Sequence, residues 1–258
     1  MNTEADGPLV GEPAPVLQLR KEFEGNANPN FLHGITTLDR HYEAMRRVRR
    51  DGNCFFRGFI FALCEQLVRR DDSDAEKTAA LLARIQTAIR KSKTELVAIG
   101  YSEVAIDTFW ETFVDYLDAM ETRTHSELVQ DFGTEGGESE YLVWYMRLLT
   151  AGYLKRNAEQ FQPFIEGLYP GLTVEQFCAA EVEPMGKECD QPQVIALTEA
   201  LQVGVKIEYL DGNAAEGQDL QNYVCGSSPP GEPSIHVHLL YRPGHYDVLY
   251  PRRQSSGC

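Results

Sequence analysis

The 258-residue sequence predicts a single domain of the α+β class. Apolar residues recur at helical spacing through the first three quarters of the chain. Alternating runs rich in β-branched and aromatic residues close it. No stretch between the two parts has a linker's composition, so helices and strands are expected to share one core.

Residues 1 to 30, rich in Pro, Gly, Asn and acids, read as a mostly mobile arm with one amphipathic stretch, "VLQLRKEF". Residues 31 to 258 form the domain. Its first helix is expected over "ITTLDRHYEAMRRVRR", where Leu38, Tyr42 and Met45 fall on one face. The next follows "RRDGNC", with Phe55, Phe56, Phe59, Ile60, Leu63 and Leu67 inward. "AEKTAALLARIQTAIRKSK" stripes Leu82, Ile85 and Ile89, and "SEVAIDTFWETFVDYLDAMETR" stripes Ile106, Phe109, Phe113, Leu117 and Met120. "DFGTEGGESE" is an acidic, Gly-rich loop before "SEYLVWYMRLLTAGYLKR", which Ser139 can cap. Thr173 and Gln176 have capping-box spacing, and "QPQVIALTEAL" leads into the strand "VGVKIEYL". A Gly/Ser/Pro-rich loop over 211 to 234 precedes two closing strands, "SIHVHLLYRP" and "HYDVLY".

A 43% hydrophobic, 24% charged chain is ordinary for a globular protein. Its net charge of −15 argues against nucleic acid or an anionic membrane as the main partner. No run approaches the roughly 20 apolar residues of a membrane helix. The acidic start lacks a secretory signal's charge and apolar core. Six cysteines without C-x-x-C pairs fit a reducing compartment, cytosol or nucleus. His236 and His238 would share one strand face, but no further ligand cluster joins them, so neither a metal nor another cofactor is expected. Residues 40 to 50 hold five arginines and one glutamate, a local +4 that reads as a solvated helix face.

One thiol stands apart. Cys54 follows Asp-Gly-Asn and opens a helix. It is either a buried core residue or a nucleophile at a helix N-terminus, where unpaired N–H groups and positive partial charge favour thiolate. Asp51 or Asn53 can cap that helix, and Gly52 permits a tight turn aiming N–H groups at an oxyanion. Near the other end, "YRPGHYDVLY" places His245 and Asp247 two apart on a strand, on one face. A carboxylate beside an imidazole fixes its tautomer and leaves the second nitrogen for a nucleophile. Together the three residues make a Cys–His–Asp set of thiol-hydrolase type.

"DGNCFFRGF" and "LLYRPGHYDVLY" resemble the ovarian-tumour (OTU) class of cysteine deubiquitinases, and within it the otubains. "YLVWYMRLLTAGYL", "FIEG", "VEQFCAAEVEPM" and "VIALTEALQVGVKIEYLD" are similar to otubain segments in the same order. The resemblance implies a papain-like α+β fold, a helical lobe on a small antiparallel sheet, and hydrolysis of ubiquitin from lysine side chains. It assigns Cys54 as nucleophile, His245 as general base, Asp51 as the acid of the D-G-N-C motif and Asp247 as the residue orienting the histidine. Arg57 stands where an arginine is usual, and Gly58 where many relatives carry alanine. The seven residues before Pro8 are fewer than in otubains whose extended arm touches ubiquitin, so no such contact is expected here.

On this basis the backbone of Asp51, Gly52, Asn53 and Cys54 would hold the oxyanion, and Tyr241, Gly244 and Tyr246 would flank ubiquitin's glycine tail. The partners implied are ubiquitin and polyubiquitin chains, with a lean toward the chains that mark proteins for the proteasome. Two rival readings are a non-catalytic binder of ubiquitin-charged conjugating enzymes on the same scaffold, and a hydrolase of another ubiquitin-like protein.

Overall fold

The structure is a computed structural model that describes residues 7–69, 75–226 and 235–252. Strand β1 (Val10–Ala14) is followed by a 3-10 helix (Val16–Glu22), α1 (Asn30–His41), β2 (Tyr42–Val48) and α2 (Cys54–Val68). The helical lobe holds α3 (Ala75–Ala98), α4 (Glu103–Asp118), α5 (His125–Gly133), α6 (Glu138–Arg156), α7 (Ala158–Leu168) and α8 (Val174–Phe177), which runs on as a π turn (Cys178–Val182). Then come α9 (Gln191–Leu201), β3 (Val205–Tyr209), β4 (Asn222–Cys225), β5 (Val237–Arg242) and β6 (His245–Pro251).

The strands form one sheet in the order β1-β2-β6-β5-β3-β4. It is mixed, where an antiparallel sheet was expected: β3 and β5 run parallel, Val205 opposite Val237. The reason is topological. β4 turns back outside β3, so the next strand laid on β3's other side runs with it.

Helix α2 lies over one face of this sheet and is buried on nearly every side, as its continuous apolar run demands. Its Gly58 sits over Val48, Leu239 and Val248. The opposite face is covered by α1 and the 3-10 helix, where Val16, Leu19, Ile35 and Leu38 meet Tyr42, Met45, Leu240 and Leu249. A third cluster joins α6, α7, α8 and α9 around Phe161, Ile165 and Phe177. The predicted inward residues of α2, and the stripe Leu82, Ile85 and Ile89 of α3, are all buried.

Five elements differ from the sequence reading. Residues 10–14, assigned to a mobile arm, are the sheet's edge strand, and Val16 and Leu19 behind them are fully buried. The helix expected over 35–50 ends at His41, and Tyr42–Val48 is a central strand. A register shift between Tyr42 and Ala44 puts Tyr42 and Met45 in the same core cluster, so a bulged strand imitates helical spacing. The loop over 211–234 contains β4. Helices α5 and α7 arise where no helix was assigned, α5 behind a Thr124–Glu127 capping box. Ser139 is also not an N-cap: α6 starts after Gly137, and Ser139 Oγ donates to Asp131 O at 2.8 Å.

Candidate active site

Between β2 and α2 the chain makes a tight turn, and the turn's own side chains hold it. Asp51 Oδ1 accepts the Asn53 N–H (2.9 Å), closing an Asx turn, and Arg57 from the first turn of α2 grips the same carboxylate with both terminal nitrogens (2.9 and 2.8 Å). Burial works against ionisation, yet the Arg57 bonds and charge and the Asn53 N–H hold the carboxyl below its usual range. Gly52 has φ of +75°, and a Cβ there would lie 2.2 Å from Gly186 O. Only glycine fits. Neither Asp51 nor Asn53 caps α2 as expected. Asn53 occupies the N-cap position without a capping bond, and its Oδ1 instead accepts from Arg147 (2.8 Å) and the Gly186 N–H (2.9 Å). Cys54 opens α2, 4% exposed.

His245 comes from the β5–β6 hairpin. Pro243 and Gly244 (φ +72°) join the strands with Arg242 paired to His245, so both side chains share a face with Asp247. His245 Nε2 is 3.0 Å from Asp247 Oδ1. Its Nδ1 is buried and has no hydrogen-bond partner among the described residues. Burial opposes charging of the ring. The bond to Asp247 and the nearness of Cys54 outweigh it and raise the pKa to about 9. Asp247 is fully buried but well supplied: Val48 N donates to Oδ1 (3.0 Å) and Arg242 to Oδ2 (2.7 Å), with Arg47 3.6 Å away. Burial pushes its pKa up, but His245, Arg242 and Arg47 hold it down at about 2. Glu22, on the 3-10 helix, ties Arg242 (2.7 Å) and Arg47 together from outside.

The structure therefore brings Asp51, Cys54, His245 and Asp247 to one end of the sheet. Of the four expected oxyanion donors, two are engaged: Asp51 N donates to Arg49 O (3.1 Å) and Asn53 N to Asp51. The N–H groups of Gly52, just before the helix, and Cys54, in its first turn, have no partner among the described residues. Tyr246 is buried, its ring against Phe55 (5.3 Å) and Tyr241 (5.2 Å) and its hydroxyl donating to Cys189 O (3.3 Å). It therefore supports the site from within. Tyr241 stays half-buried, with its hydroxyl 3.5 Å from Gly244 N.

Sequence reading assigned no role to Arg147, Arg242, Glu22 or Gly186, and it placed Arg47 on a solvated helix face, where the structure has it on β2 beside Asp247. Arg147 alone left a signal, a cation within the apolar run "YLVWYMRLL".

The family model for Peptidase C65 Otubain matches residues 2–251. The chain belongs to the otubain family. Ubiquitin thioesterase OTUB1 of Homo sapiens is 41% identical over 244 residues, 94% of this chain and 83% of that protein. The ovarian tumor domain-containing deubiquitinating enzyme 1 of Arabidopsis thaliana is 34% identical over 95% of this chain and 81% of that protein. Among solved structures, a complex of h/ceOTUB1 with ubiquitin aldehyde and UBC13~Ub superposes at a TM-score of 0.82 and 31% identity, covering 96% of this chain and 92% of that one. This otubain is thus a cysteine peptidase of α+β architecture, as the sequence implied.

Proposed function

We propose that this otubain releases ubiquitin from lysine side chains and polyubiquitin chains by acyl transfer through Cys54, His245 and Asp247. The reading rests chiefly on one arrangement: His245 gives Nε2 to a buried carboxylate and keeps Nδ1 free beside a helix-start cysteine. Cys54 attacks the isopeptide carbonyl at ubiquitin's terminal glycine. The N–H groups of Gly52 and Cys54 donate to the developing oxyanion. His245 passes a proton to the leaving lysine amine, then draws one from the water that releases ubiquitin. Asp247 keeps the ring oriented and its charged form stable. Asp51 acts on the turn, through Arg57 and the Asn53 N–H. Tyr241 and Gly244 border the glycine tail's path, and proteasome-type chains are the preferred substrate.

The test is incubation with a ubiquitin bearing an electrophile in place of its terminal carboxylate. Wild type should form a 1:1 covalent adduct and Cys54→Ala none; an adduct in both, or in neither with folded protein, refutes the assignment.

The names of the similar complexes favour a second reading. OTUB1 is seen there with ubiquitin-charged UBC13 and UBCH5B. Binding of a charged conjugating enzyme on the same scaffold would survive Cys54→Ala, and inhibition of ubiquitin transfer by that variant separates the two activities.

A further inference from the structure

Arg147 is fully buried near the middle of α6, in a run of otherwise apolar and small buried residues. A guanidinium in that position costs several kcal/mol of desolvation, which its hydrogen bonds must offset. No carboxylate among the described residues forms an ion pair with it. Instead, Nη1 donates to Val182 O (3.0 Å) and Nη2 faces Gly52 O (2.8 Å), Asn53 Oδ1 (2.8 Å) and Lys187 O (2.7 Å), while Nε–H has no partner among the described residues and the plane lies 4.6 Å over Phe56. Burial lowers its pKa to about 10, which leaves it charged at neutral pH. Two of these acceptors belong to the turn before Cys54, and two to the segment 182–187. That segment also packs against the turn at Gly186, whose N–H shares the Asn53 carboxamide.

We propose that Arg147 is the positioning residue of the nucleophile's turn: one planar cation pins Gly52 O and Asn53 Oδ1 to the 182–187 segment. It thereby fixes where Cys54 and the oxyanion N–H groups stand. Acting only through backbone carbonyls and a carboxamide, it leaves a fixed positive charge near the sulfur that no carboxylate cancels by direct pairing. Lysine in its place would keep the charge and lose the fork, because a single ammonium cannot stand at both the Nη1 position, facing Val182 O, and the Nη2 position, facing the other three acceptors.

The inference rests on the proposed acyl-transfer reading, and its test separates the two. Arg147→Lys and Arg147→Met are compared with wild type by near-UV circular dichroism, by ubiquitin-chain hydrolysis, and by the pH profile of Cys54 alkylation with iodoacetamide, mapped by mass spectrometry. A shift of the nucleophile by about 1 Å predicts a fall in kcat of about 100-fold in Arg147→Lys, with KM within about threefold. Alkylation should need a higher pH in Arg147→Met than in Arg147→Lys, since only the methionine removes the charge. A kcat within threefold of wild type in folded Arg147→Lys overturns the proposal, as does an alkylation profile identical in all three proteins. If neither variant folds, Asn53→Ala removes the shared carboxamide and leaves the cation its three carbonyls; a kcat drop of at least tenfold supports the proposal, and a smaller one overturns it. Absence of hydrolysis and of covalent capture by wild type would instead sink the acyl-transfer reading.

Discussion

Two glycines in and beside the nucleophile's turn behave in opposite ways when a methyl is added. At Gly52 the backbone is left-handed and a Cβ would meet Gly186 O at 2.2 Å, so the turn and the facing segment cannot both keep their places. Gly52→Ala should cut covalent capture by at least about 100-fold, measured as the rate of adduct formation with electrophilic ubiquitin. At Gly58, one turn into α2, a Cβ would find Val48, Val248 and Leu239 at 3.5 to 3.7 Å, ordinary contact distances. Alanine also costs less chain entropy than glycine in a helix. Gly58→Ala should therefore raise unfolding free energy by roughly 0.5–1 kcal/mol in urea titration, with capture unchanged.

The hairpin β5–β6 is the element on which the proposed base, His245, depends. Its two-residue turn sets the Arg242–His245 pair, and that pair puts the imidazole, its carboxylate and the arginine holding the carboxylate on one strand face. Gly244 supports this with φ of +72°, and its position is crowded: an added Cβ would stand 3.2 Å from the Glu188 carboxylate. Gly244→Ala should cost about 1–2 kcal/mol of stability and slow capture about tenfold by tilting His245, read by thermal melting and adduct kinetics together. A normal capture rate would mean that the turn does not govern the ring. The 3-10 helix joins this element from the far side: Glu22 bridges the two arginines that flank Asp247, linking the N-terminal segment to the catalytic face.

For the whole molecule, the site's charges make stability depend on pH. His245 has a folded-state pKa of about 9 against an ordinary 6.5. Because the folded value is the higher, the stabilisation is fully present below pH 6.5 and is lost as pH rises through about 9. Asp247 runs the other way: its contribution is present above 3.8 and is lost as pH falls through about 2. The stability difference between wild type and His245→Asn should be constant near pH 6 and shrink by up to roughly 3 kcal/mol by pH 10, followed by urea unfolding. A difference that does not change over this range would place the ring's pKa near that of a free histidine.

The sequence by itself determined the class, the helical lobe and the candidate site residues. Periodicity reports burial, and α3 and α4 are regular helices whose stripes follow 3.6-residue spacing, while α2 is a continuous apolar run buried on nearly every side. Cys54, His245 and Asp247 were legible because their chemistry sits in short local motifs, a thiol after a turn and H-x-D on a strand. Tertiary structure decided the rest. Whether Tyr42–Val48 continues a helix depends on β1 and β6 pairing on either side of it, and a bulge erases the period that would have revealed a strand. The mixed sheet depends on which edge of β3 the chain returns to, which no local pattern records. Arg147 and Glu22 act across 94 and 220 positions of chain, on Asn53 and Arg242. Such contacts are set by how the lobes pack, because a hydrogen bond is specified by where its partner arrives and the local sequence holds only one of its two groups.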